Sequence, residues 1–340
     1  MGFTDDELKY YESLTSEAER AAFRQSNRHD LNYEVVIETI VGFLVKVLHS
    51  QKGKQTDEIK HYAQLELQMV TTKLLAFHVL LQKWGGYNKE KDIILNPIVD
   101  PVVLGGLARS IYETLGVFRL VYLLPDTEEK QQIAFNLWKR HSFLDSIKDL
   151  EPTIPLNEQN GYDTSKLQDQ LQYAKEQCDR LLLEVQSTTY AATHSIDYDK
   201  GNAKKSLIIL DENPKFVSLS GIDRDMEYYM PLKNVAFKNM YSILSHYAHP
   251  SYQAEDQFDN AFKSKDDRVG PYRMIVSTTA ILAICFISSY ATFDQSMQNE
   301  LNEEETELFN AIYHSFCIGT FGVEPSKDEY TQERMKMVIE

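Results

Sequence analysis

The sequence predicts an all-α protein: a multi-helix bundle around one apolar helix, with a small β-hairpin near residues 206–220. Three observations carry that expectation. Apolar residues recur at spacings of three and four through most of the chain, the signature of helices with one buried face. Only 14 Gly and 10 Pro punctuate 340 residues, fewer turn formers than a many-stranded fold uses. Finally, Met274 to Phe293, "MIVSTTAILAICFISSYATF", runs for 20 residues without a charge. That length could cross a bilayer, but six of the residues are Ser or Thr and neither a basic residue nor Trp anchors the far end. It reads as a central helix, apolar all round because other helices wrap it.

The remaining elements follow in chain order. Thr4 to Ser26 reads as a charged amphipathic helix and Leu31 to Ser50 as a more apolar one. Thr56 to Trp84 is long and stops at Gly85-Gly86. Pro97 to Leu124 is nearly all apolar and ends at Pro125. Thr127 to Leu150 carries acids in its first turn, where the helix dipole favours them. "EPTIPLNEQNGYDTS", Glu151 to Ser165, reads as a long loop. Beyond it, Leu167, Leu171, Ala174, Cys178, Leu181 and Val185 form a narrow seam, read as a helix docked on its own bundle in preference to a dimer seam. Two β-prone runs flank Asp211-Glu212-Asn213-Pro214 and suggest the hairpin. Helices resume over Pro231 to Ala248, Asp267 to Phe293 and Asn302 to Thr320, and 323–340 reads as a tail. The organisation expected is N-terminal helices over 1–100 packed on a main helical domain, 101–322, as one intertwined domain.

Composition bounds the function. Apolar residues make up 43% and charged residues 25%, as in soluble globular chains. The net charge of −16 opposes broad binding to phosphate backbones. The strongest basic cluster, Lys263, Lys265, Arg268 and Arg273, is interrupted by Asp266 and Asp267 and reads as solvated surface. Cys178, Cys285 and Cys317 are far apart and odd in number, which suits buried thiols in a reducing compartment. The acidic start, "MGFTDDELKYYESL", has no apolar signal core. A cytoplasmic protein without a membrane span is expected.

One polar constellation stands out. In "LGGLARSIYETLGVFRL", Gly105, Arg109, Tyr112, Glu113 and Gly116 share a helical stripe amid apolar neighbours. The glycines would admit a second helix closely, so the stripe reads as interior, and interior charges need partners. Arg followed by Glu is the weaker orientation for an isolated helical pair, so a surface ornament does not explain it. In "YSILSHYAHPS", Tyr241, Ser245 and His249 are four apart, and Pro250 should end the helix at the imidazole. There the helix dipole favours a protonated ring. Facing each other, the two groups would make a site able to hold an anion or move a proton. The competing reading is that they only tie two helices together.

The Arg109-x-x-x-Glu113 helix, the Tyr241-x-x-x-Ser245-x-x-x-His249-Pro250 helix and the apolar helix after them resemble a family of bacterial all-helical proteins of unknown function, over roughly Val102 to Phe293. More distantly, the pattern is similar to the HEPN superfamily of helical nucleases and toxins. The resemblance implies a phage-defence or toxin-type role at the level of fold analogy. The spacing of Arg and His in HEPN ribonucleases occurs once, at Arg24 and His29, at the frequency chance predicts and outside the resembling region.

Other chemistries are poorly represented. Glu58-x-x-His61 lacks the second copy a di-iron bundle needs. His246, His249 and Asp256 make a weak metal set. Phosphate-loop, nucleophile-elbow and dinucleotide fingerprints are missing. His78 reads as a core histidine. The expectation is therefore a site of Arg109, Glu113, Tyr241, Ser245 and His249, with no cofactor and no metal. Its partner would be a nucleotide or RNA at a local pocket, or, if the seam is structural, another protein or a second copy of the chain.

Overall fold

The computed structural model describes residues 33–54, 56–81, 87–88, 93–94, 101–194, 206–209, 215–218, 240–248, 252, 254–256, 259 and 265–298. Its helices are α1 (Tyr33–Gln51), α2 (Glu58–Leu81), α3 (Pro101–Phe118), α4 (Glu128–Gln159), α5 (Ser165–Gln186), α6 (Thr189–Thr193), α7 (Met240–Ala248), α8 (Lys265–Phe293) and α9 (Gln295–Gln298). A π-helical turn, Arg119–Leu123, follows α3. Two short antiparallel pairs complete the list: β1 (Tyr87–Asn88) with β2 (Ile93–Ile94), and β3 (Ser206–Ile209) with β4 (Lys215–Ser218). The all-α class expected from the sequence is correct, and so is the small hairpin, whose register sets Leu207 opposite Val217 and Ile208 opposite Phe216. The expected helices 4–26 and 302–320, the 323–340 tail, Cys317 and the Arg24/His29 pair lie outside the described residues.

The chain divides into two compact units, one formed by Met1–Gly116 together with Met230–Glu340, the other by Val117–Tyr229. The sequence predicts one intertwined domain, with N-terminal helices over 1–100 packed on 101–322. In the first unit, α8 packs against α1 and α2. Ile275, Val276, Ala280, Leu282, Ala283 and Phe286 are inaccessible to solvent, as are Phe77 of α2 and Ile37, Ile40 and Leu44 of α1. Each such large aliphatic or aromatic side chain contributes about 1.5–3 kcal/mol through burial. The segment Met274–Phe293 is long and apolar enough to cross a membrane, yet 89% of its most apolar window is buried inside the protein. Its hydroxyls tolerate that burial by bonding their own helix: Thr279 Oγ1 donates to the Ile275 carbonyl at 2.8 Å and Ser277 Oγ to that of Met274 at 3.1 Å. At its far end Tyr290 Oη donates to Gln51 Oε1 at 3.3 Å, and Gln51 Nε2 donates to Asp294 Oδ2 at 3.2 Å, tying α8 to the end of α1. Burial holds the Tyr290 phenol well above its usual range.

The second unit is organised by α4 and α5, which pack against each other. The seam read from the sequence is the docking face: Ala174, Cys178, Leu181 and Val185 are buried. Val185 joins Ile133, Ala134, Leu137 and Tyr190 in one cluster. Thr127 caps α4 by accepting from the Lys130 amide at 3.3 Å, with Glu128 and Glu129 in the first turn as expected.

Two expectations fail here. The loop placed at 151–165 is mostly helix, because α4 runs on through Pro152 and Pro155 to Gln159. Both prolines are exposed, so the carbonyls they deprive of donors can be hydrated, while buried Ile154 and the Lys175–Glu151 ion pair at 3.0 Å hold the turn onto α5. The single helix expected to Leu124 instead widens after Phe118, where the Leu124 amide reaches back five residues to the Arg119 carbonyl at 2.9 Å. Four successive residues of this wider turn, Arg119 to Tyr122, are buried.

Candidate functional site

The site lies within the first unit, where α3 meets α7. Gly105 is the closest point: a Cβ built there would sit 2.3 Å from Tyr247 Cβ. Only a residue without a side chain permits this approach. Further along, Tyr112 and Tyr241 rings lie 5.9 Å apart. Residue 105 meeting 247 and 112 meeting 241 means that the helices cross antiparallel. Gly105 and Tyr112 of the stripe therefore face a second helix, as the spacing indicated.

Arg109 lies in this crossing. Its Nε donates to Glu113 Oε1 at 3.0 Å, and its Nη2 donates to Tyr241 Oη at 2.6 Å. The guanidinium carbon also lies 4.8 Å from the Tyr241 ring centroid, within cation–π range. Arg109 keeps 18% of its side-chain exposure and Glu113 keeps 39%, so the pair sits at the rim of the seam. Three of the five expected residues thus come together. Ser245 does not join them: its hydroxyl donates to the Tyr241 carbonyl at 2.7 Å, along its own helix. α7 ends at Ala248, and His249 lies outside the described residues.

Two charged residues of α2 extend the constellation and were not anticipated. Lys73 Nζ donates to Thr114 Oγ1 at 2.6 Å and to the Ser110 carbonyl at 3.2 Å, clamping α2 to α3. Burial lowers its pKa, while Glu113 and Glu66 partly restore it. Glu66, two turns before Lys73 on the same stripe, is 95% buried, since only 5% of it is exposed. Its Oε2 has no hydrogen-bond partner among the described residues. Burial pushes this carboxyl up to about 8, against a smaller opposing pull from Lys73. A sequence signal existed: single charges seven apart on the otherwise apolar face of "LELQMVTTKLLAF".

Among the described residues, no group of three or more His, Cys, Asp and Glu side chains is placed to hold a metal. His61 and His246 are exposed, and His78 is buried in the core. No family model, characterised protein or solved structure matches the chain. The resemblance noted from the Arg109 and Tyr241 helices rests on those residues alone. Chemically, the arrangement is a cation held between a carboxylate and a phenol at the edge of a tight helix crossing.

Proposed function

We propose that the chain is a helical interaction module in which the Arg109–Tyr241 seam fixes the register of α3 against α7. One observation supports this above the rest: the polar groups of the seam already engage one another. Arg109 Nε holds Glu113, Arg109 Nη2 holds Tyr241, and Ser245 is turned back on its own helix. A half-buried polar contact at the rim of an apolar crossing favours one register over its neighbours. Its partner in the cell would be another protein or a second copy of the chain.

A second reading, that the seam acts on or senses a nucleotide or RNA in a phage-defence or toxin-type role, follows from the resemblance to helical toxins. The partial exposure of Arg109 and Glu113 favours it. In that reading Arg109 holds the phosphate and His249 is the general acid or base.

Arg109→Ala separates the two. The register role predicts a loss of about 2 kcal/mol in unfolding free energy, the scale of a charge-assisted hydrogen bond, with Glu113→Ala costing well under 1 kcal/mol because that pair is half-exposed. An unchanged melting temperature together with loss of nucleotide or RNA binding would instead establish the second reading.

A further inference from the structure

We propose that the outer face of α2 is a docking surface for the chain's own C-terminal segment, Asn302 to Thr320, which completes the first unit independently of the Arg109–Tyr241 seam. α2 buries Ala63, Leu67, Val70, Leu74 and Phe77 on its inner side. Its opposite side carries Leu65, Met69, Thr72, Ala76 and Val79 at spacings of four, three, four and three, the repeat of a narrow helix–helix seam. The described elements leave all five exposed, Met69 by 51% and Val79 by 48%. Thr72 keeps the stripe's apolar character, because its hydroxyl donates to the Gln68 carbonyl of its own helix at 2.8 Å. A contiguous uncharged stripe of this kind, on a helix whose other side is core, marks an interaction surface.

Place, pattern and charge select the occupant. Gln51 ends α1, just before the turn into α2, and its Nε2 donates to Asp294 Oδ2 at 3.2 Å, next to α9. Met297 of α9 is buried and the helix ends at Gln298. Residues 299–340 therefore continue from the corner at which α2 begins. In "LNEEETELFNAIYHSFCIGT", Leu308, Phe309, Ile312, Tyr313 and Phe316 recur at helical spacing. As a helix, Asn302 to Thr320 spans about 28 Å, against about 21 Å from Leu65 to Val79, so it is long enough to cover the stripe.

Charge sets the direction. Glu303, Glu304, Glu305 and Glu307 precede the apolar run of the segment. Lys52, Lys54, Lys60 and His61 precede the apolar stripe of α2, together with Asp57 and Glu58. Asp57 is engaged in starting α2, where it accepts from the Lys60 amide at 2.8 Å. A segment laid parallel to α2 sets its acids beside these bases and Leu308 to Phe316 beside Leu65 to Thr72. The reverse direction would set the acids on the apolar stripe. Thr4 to Ser26 fits less well, because its charges are spread along its whole length.

The segment contains Cys317, whereas Cys178 and Cys285 are buried, so one thiol added to α2 reports on the contact. The test is Thr72→Cys in the full chain, treated with a short bismaleimide and analysed by mass spectrometry of the linked peptides. A link between position 72 and Cys317 within monomer-sized protein is expected. Adding Ile312→Asp/Phe316→Asp should lower its yield about tenfold or more, since both side chains lose their apolar contact. Absence of the link to Cys317 overturns the proposal, as does a yield unchanged by the two aspartates. Links formed only between copies would also overturn it and make a second copy of the chain the occupant. The first measurement needs only a surface substitution on α2, so the outcome does not depend on the aspartate variant folding.

Discussion

Gly105→Ala is expected to destabilise the protein by about 2 kcal/mol or more, while Gly106→Ala, one residue on, stabilises it by about 0.5–1 kcal/mol. Both positions lie inside α3, where alanine is the better helix former by about 1 kcal/mol. What separates them is space. Among the described residues a Cβ at 106 meets nothing within 4 Å, whereas one at 105 would lie 2.3 Å from Tyr247 Cβ and 2.9 Å from its Cγ. The Tyr247 Cβ is fixed to the backbone of α7, so rotamer change cannot relieve the 2.3 Å overlap and the helices must separate. Overpacking of this kind costs about 1–3 kcal/mol and occasionally more, enough to exceed the propensity gain. Urea unfolding of the two variants checks the prediction. Equal effects would mean that α3 and α7 do not meet at Gly105.

Glu66→Gln is expected to stabilise the protein at neutral pH and to flatten its stability profile between about pH 4.5 and 8. The sign follows from proton linkage. The carboxyl is raised from 4.5 in the unfolded chain to about 8 in the folded one. Within that window the folded state holds the proton and the unfolded state does not, so folding stability declines as pH rises. Below the window both states are protonated and the effect vanishes. At pH 7 the linkage amounts to about 3 kcal/mol as an upper bound, which a neutral amide of the same shape would recover in part. Lys73 acts in the opposite sense: burial depresses its folded pKa, so stability rises with pH just below 10.5, where only the unfolded chain is fully protonated. Thermal unfolding of wild type and Glu66→Gln from pH 5 to 8 reads the difference directly. A large destabilisation by Glu66→Gln would show instead that Glu66 is ionised and held by Lys73, whose charge the amide leaves unpaired.

The parts of this molecule legible in the sequence are those governed by periodicity. α1, α2, α5 and α8 fall close to their apolar repeats, and Gly105, Arg109 and Tyr112 of the predicted stripe face α7. The Arg109–Tyr241 contact could be anticipated because an interior guanidinium requires partners and Tyr241 heads a polar row on a short helix. Ser245 illustrates the limit of face-counting, since a helical serine can satisfy itself on the preceding turn and leave the face it belongs to. The prolines of α4 mislead for a related reason. Local chemistry argues for a break at Pro152 and Pro155, whereas burial of Ile154 and the Lys175–Glu151 pair favour continuing the helix. Glu66 and Lys73 escape notice because single charges in a long helix usually mark its solvent face, and only the packing of α1, α3 and α8 around α2 shows that these do not.

The register role of the seam is tested most directly by a double-mutant cycle on Arg109→Ala and Tyr241→Phe, read by equilibrium unfolding. A hydrogen bond of 2.6 Å from a guanidinium to a phenol, reinforced by the ring beneath it, predicts a coupling energy of about 1–2 kcal/mol between the two residues. Strictly additive effects, with no coupling beyond measurement error, would mean that Arg109 and Tyr241 do not hold α3 to α7, and the account given for the seam would be wrong.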